Sequence, residues 1–157
     1  MEEVDSDDEF PAQILSPAKS LDKLEWLGLA QIKEKKFNEM LNFVVVIHKV
    51  KDIDSITKKS GHLKEKRDLI VCDDSNLSCL VTIWSDQYME ELGGKQGTVI
   101  GIQKARISSF CNGSLNVTEE TTIFYEPEIL PQCHRLRQWY TMVQFSKEPV
   151  DFEYISV

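Results

Sequence analysis

The chain has 157 residues, 41% of them hydrophobic, and a net charge of −8 at neutral pH. That is enough for one domain with a proper core and too little for two. No apolar run approaches the roughly 20 residues of a membrane span, and the N-terminus is acidic where a secretory leader is basic and then apolar, so a membrane partner is not expected.

Residues 1–10 carry six acids and no base, and Pro11 and Pro17 follow as breakers, so residues 1–20 are expected to be a disordered acidic lead-in. Residues 20–41 mix apolar and charged side chains, with partial helical spacing over Ile32–Phe37. Phe43–Val50 is a continuous β-branched run, as a first strand buried on both faces would be. Residues 51–66 read as a long polar, basic loop. A second strand over Arg67–Cys72, a turn at Asp73–Asn76 and a third strand over Ser78–Trp84 follow. Ser85–Leu92 has a capping residue and helical spacing, and stops at Gly93-Gly94. Thr98–Ile107 is a fourth strand in which Gly101 suggests a bend or bulge. Residues 114–125 supply a fifth strand, broken near Thr118–Glu120, and Cys133–Val143 a closing helix. Within that helix, Trp139 is expected to cap the barrel.

This order is the outline of an all-β, five-stranded OB-fold barrel with a helix between strands three and four and a C-terminal helix. The domain is expected over residues 21–144, with 145–157 as a tail or linker. Such barrels bind oligonucleotides across the second and third strands, using the loops after strands one and four. Trp84 ends the third strand and Phe110 lies in the loop after the fourth, each an aromatic at a strand end beside cations. Rings placed so can stack on nucleobases. Lys58, Lys59, Lys64, Lys66 and Arg67 fall close together with His62 among them, and Lys95, Lys104 and Arg106 lie in a stretch without acids from 95 to 118. With the two acidic ends set aside, the remaining charge balances, so the acidity belongs to the tails.

Four cysteines without CxxC spacing and three histidines give no zinc pattern, and no metal or cofactor is expected. The thiols read as idle in a reducing compartment. No phosphate loop or nucleophile elbow is present, since Gly93-Gly94-Lys95-Gln96-Gly97-Thr98 has the wrong spacing, so catalysis is not expected.

Several short stretches in one order resemble the second DNA-binding OB domain of the replication protein A large-subunit family, from about Leu24 to Tyr140. They are Leu24-Glu25-Trp26-Leu27-Gly28-Leu29, Lys66-Arg67-Asp68-Leu69, Asp73-Asp74-Ser75, Thr82-Ile83-Trp84, Lys104–Phe110, Gly113–Val117, Pro127-Glu128-Ile129 and His134–Tyr140. The resemblance implies base stacking by Trp84 and Phe110, and a phosphate or base contact from Arg106. It implies basic contacts from the first loop at Lys58 and Lys66, with Lys59 and His62 beside them. It further implies single-stranded DNA as ligand, more OB domains in the same chain, smaller subunits as partners, and a nuclear location. Three departures stand out: Gln103 replaces a basic residue, the turn after Phe110 becomes Cys111-Asn112-Gly113, and Leu130 is an extra residue before Pro131. Lys104 adjoins Gln103, but strict alternation turns it to the other face. A telomere-specialised paralogue, RNA as ligand, and a protein-binding OB domain remain open alternatives.

Overall fold

Phe43, Val45 and Ile47 lie in one hydrophobic cluster and Val44 and Val46 in another, which is why this run shows no polar alternation. The first cluster fills the inside of a barrel. The second is the layer between the barrel's outer wall and the C-terminal helix. The structure is a computed structural model and describes residues 21–109, 113–146 and 152–154. The acidic lead-in, Phe110 and the rebuilt turn at Cys111-Asn112 therefore lie outside the described residues.

The barrel strands are β2 (Met40–Thr57), β3 (Leu63–Cys72), β4 (Leu77–Ile83), β5 (Val99–Ser108) and β6 (Ser114–Val117), preceded by the short β1 (Trp26–Leu27). Helix α1 (Asp86–Met89) sits between β4 and β5. After β6 come β7 (Thr122–Tyr125), helix α2 (Pro131–Phe145) and β8 (Glu153–Tyr154). β2 pairs antiparallel with both β3 and β5, β3 with β4, β4 parallel with β6, and β6 antiparallel with β5. That circuit returns to β2, so the sheet closes into the five-stranded OB barrel expected from sequence. β6 and β7 are the two halves of the predicted fifth strand. Thr118 and Thr121 make the break between them, the Thr118 N–H donating to Thr121 Oγ1 at 3.0 Å.

Four local expectations are corrected. Residues 51–66 are not a loop: β2 runs on to Thr57 and β3 begins at Leu63, leaving a tight turn closed by the Lys58 N–H on the His62 carbonyl at 2.8 Å. The ribbon projects beyond the core, so both its faces are wet and hydropathy cannot tell it from a loop. The bulge in β5 lies at Lys104, with φ 63°, where the β2–β5 register jumps between Leu41 and Phe43. Gly101 instead gives way to the Trp26 ring, which would sit 3.2 Å from an added Cβ. The helical spacing over Ile32–Phe37 yields only a 3-10 helix ending at Glu34. Finally, Trp139 packs half-buried on the outer layer, 6.0 Å from Tyr140 and 5.9 Å from Phe152 between ring centres, rather than capping the barrel. Tyr88 and Leu92, from α1 and the turn after it, join the barrel cluster.

Residues 152–154 return to the barrel: Leu77 and Ser78 pair parallel with Glu153 and Tyr154. The described cysteines are buried, and burial pushes the Cys72 thiol up to about 12 and the Cys133 thiol up to about 11. At neutral pH these thiols stay protonated and behave as small core side chains.

Candidate nucleic-acid interface

The bulge at Lys104 decides what β5 shows to solvent. Before it, Ile100 and Ile102 join the barrel cluster; after it, Ala105 and Ile107 do. One inserted residue thus switches the inward parity from even to odd. Arg106 and Ser108, which unbroken alternation would drive into the core, are turned outward onto the face that carries Trp84.

On that face a polar row runs straight across four strands. Asp68 of β3 lies opposite Thr82 of β4, Thr82 opposite Asn116 of β6, and Asn116 opposite Arg106 of β5. Lys66 stands two residues before Asp68 and Trp84 two after Thr82, so by strand alternation both share this face. The Thr82 hydroxyl donates to Asp68 Oδ1 at 2.8 Å, and Lys66 Nζ donates to Asp68 Oδ2 at 2.9 Å.

Trp84 is half-buried and held at both ends. Its backbone N–H donates to the Val117 carbonyl at 2.8 Å, and its indole Nε1–H donates to Asn116 Oδ1 at 3.1 Å. Lys64 Nζ stands 5.5 Å from the ring centre, within cation–π range. The ring belongs to the walls of two recesses. The larger, about 780 Å³, takes Lys58, Lys64 and the apolar Ile56 and Leu63 from the ribbon. Glu65, Asp86 and Glu119 also line it, so its charge is mixed. The smaller, about 340 Å³, is bounded by Ile56, Lys66, Thr82, Trp84, Ser108 and Asn116. Leu63 is 72% exposed, an apolar side chain that the fold itself does not cover.

The structure gathers some of the sequence-derived candidates and separates others. Trp84, Lys58 and Lys66 meet around the recesses. Lys59 and His62 are exposed at the ribbon tip and line neither. Lys104 is exposed, its N–H bonded to Asn42 Oδ1 at 3.0 Å, and also lines neither recess. Arg106 is drawn toward the start of β2: it donates to the Asn38 carbonyl at 3.2 Å and pairs with Glu120 at 3.4 Å. Arg67 is structural, its guanidinium donating to the carbonyls of Lys51 and Met89 at 3.0 Å each. Phe110 lies outside the described residues, just beyond Ser108 and Ser109. Asn116 was not singled out from sequence, and Lys64 appeared there only as one member of the basic cluster, with no contact assigned to it. Lys64 shares the parity of Lys66 once both are on a strand. Asn116 becomes visible only when β6 is paired with β4.

The family profile described as the replication protein A OB domain matches residues 29–126. The chain is 26% identical over 119 residues to the replication protein A 70 kDa DNA-binding subunit of Xenopus laevis, covering 75% of this chain and 19% of that protein. It is 26% identical over 115 residues to replication factor A protein 1 of Saccharomyces cerevisiae, covering 73% and 18%. It is 27% identical over 121 residues to the replication factor A 51 kDa subunit of Crithidia fasciculata, covering 76% and 26%. The chain thus spans about a fifth to a quarter of these relatives' lengths. A replication protein A heterotrimer solved bound to single-stranded DNA superposes with a TM-score of 0.73 at 18% identity, over 85% of this chain and 31% of that one. Closed barrel, helix placement and profile match agree, and the chain belongs to the replication protein A OB domain family.

Proposed function

We propose that the face bearing Trp84 binds single-stranded DNA, without catalysis, as one module of a longer protein acting in the nucleus. The observation that carries this reading is Trp84 itself: a half-buried indole between two recesses, with a lysine over the ring and its N–H tied to Asn116. A ring fixed in this way loses little freedom when a base stacks on it. Lys58 and Lys64 on the ribbon follow the phosphates, and Ile56 and Leu63 offer apolar contact to sugars and base faces. Phe110 is assigned the second stacking position from the family resemblance, and Arg106, once released from Glu120, a contact near it. The relatives named as DNA-binding subunits, and the heterotrimer solved on single-stranded DNA, support the same ligand. Further OB domains of the same chain and smaller subunits are the partners this reading implies. Linking such modules raises affinity by effective concentration, so one domain of mixed groove charge is expected to bind modestly alone.

Fluorescence anisotropy with a labelled single-stranded oligonucleotide at two salt concentrations tests this. Trp84→Ala should weaken binding by about 1–3 kcal/mol, the usual worth of a stacked base, with the salt slope unchanged. An oligonucleotide that fails to bind at low salt would instead favour a protein ligand for this face.

A further inference from the structure

A hydrogen bond within the protein fixes which way a polar side chain of the smaller recess beside Trp84 is turned. An indole N–H is a donor only. It lies 3.1 Å from Asn116 Oδ1, so the amide oxygen, and not the amino group, must be the end that meets the indole. That removes the usual freedom of an asparagine to present either end. An asparagine recognises adenine by using both ends of the amide, oxygen to N6 and nitrogen to N7. With its oxygen turned to Trp84 and one of that oxygen's two lone pairs taken, Asn116 has the Nδ2 donors as its unengaged end.

Among the other polar groups of the recess, Lys66 points the same way. Lys66 is a donor only, and one of its three N–H bonds goes to Asp68 Oδ2 at 2.9 Å. Asp68, the nearby acceptor, also takes the Thr82 hydroxyl at 2.8 Å and is not part of the recess wall. Thr82 has given its one hydroxyl proton to Asp68 and keeps only acceptor lone pairs, which suit the N1–H and N2 amino donors of guanine. The Ser108 hydroxyl serves as donor or acceptor and discriminates weakly. Trp84 and Ile56 supply the apolar faces.

We propose, building on the single-stranded DNA reading above, that this recess selects guanine over adenine. The base ring lies against Trp84, and the O6 and N7 acceptors of guanine face the Lys66 ammonium and the Asn116 amino group. Adenine has the N6 amino group where guanine has O6, which sets N–H against N–H and leaves donors unpaired. The two purines have the same ring size, so they differ here through the edge. Cytosine, with adjacent N3 and O2 acceptors, belongs to the accepted class.

The test is an anisotropy series with the full chain on eight-residue oligo(dT) carrying one guanine or one adenine at each position in turn. At one position guanine should bind on the order of tenfold tighter than adenine, within the range of a good bidentate base contact. Replacing that guanine by 7-deazaguanine, which lacks the N7 acceptor, should remove part of the gain. Asn116→Asp keeps an oxygen for the indole and turns the other end from donor to acceptor. It should lower affinity for every oligonucleotide and collapse the guanine-to-adenine ratio. Lys66→Met, which keeps the stem and removes the donor, should reduce the same ratio and guards against a folding defect in the first variant. Equal binding of guanine and adenine at every position would overturn the proposal, as would an unchanged ratio in both variants. Plain oligo(dT) separates the two levels: if it binds and the ratio is flat, the base preference alone is wrong. If it fails to bind, the DNA reading fails with it.

Discussion

Gly101 is held as glycine by a neighbour rather than by its own backbone. An added Cβ would meet Trp26 at 3.2 and 3.4 Å and Pro127 at 3.6 Å. The Trp26 ring cannot swing freely, because its Nε1–H donates to the Leu21 carbonyl at 2.7 Å and the ring packs on the outer layer. Gly101→Ala is therefore expected to cost about 1–3 kcal/mol by overpacking, read as a lower denaturation midpoint with an unchanged m-value. The charged residues of the proposed binding face differ in the same local way. Lys66 is already paired with Asp68, whereas Lys58 stands exposed on the ribbon beside the larger recess. Each free cation on a single strand contributes about 0.7 to the salt slope. Lys58→Ala should flatten the slope by about that amount and Lys66→Ala by less, in a salt titration of oligonucleotide binding. Trp84 was legible as a single residue because it ends an apolar run. Lys104 as the bulge was not, since a lysine gives no signal that its φ is positive where glycine would.

Element boundaries were legible wherever a strand lies against the core and obscure where it leaves it. Phe43–Ile47 announces itself through unbroken β-branched residues, and the hairpin at Asp73–Asn76 through its turn formers, with Asn76 at φ 64°. Beyond Val50 the ribbon has no core to face, so its strands carry lysine and aspartate like a loop. The C-terminal elements show a different limit. Nothing in the pattern of residues 145–157 marks Phe152 as a packing residue, yet its ring lies 5.2 Å from His48 and 5.9 Å from Trp139 between centres. His48 Nδ1 is also 3.0 Å from the Tyr140 hydroxyl. Burial, with the Lys49 ammonium next to it, pushes the His48 imidazole below its usual range. The folded chain thus holds His48 neutral at a pH where the unfolded chain, titrating near about 6.5, has taken up a proton. As pH falls from that value toward the folded one, the unfolded state binds more protons and stability drops. Between pH 7 and pH 5 the wild type should lose more stability than His48→Gln, measured by denaturant unfolding at both pH values. Equal losses would show that this cluster does not contribute.

At the scale of the whole molecule, the order of elements was enough to name the barrel, because three strands, a helix, two strands and a helix leave few closed arrangements. The polar row Asp68–Thr82–Asn116–Arg106 was not legible, since it joins residues from four strands and needs both the parallel β4–β6 pairing and the parity switch at Lys104. The net charge is misleading in the opposite sense. Residues 1–10 hold six acids and no base against a net charge of −8 for the chain, so the ligand meets a barrel far less acidic than the total suggests. Charges on a chain end act on a polyanion only through solvent, over a Debye length of about 10 Å at 0.1 M salt and 3 Å at 1 M. Removing residues 1–10 should tighten oligonucleotide binding at low salt, and the gain should vanish as salt rises toward 1 M. A gain that persists at high salt would mean that these residues occupy the binding face by direct contact, and no gain at any salt that they keep clear of it.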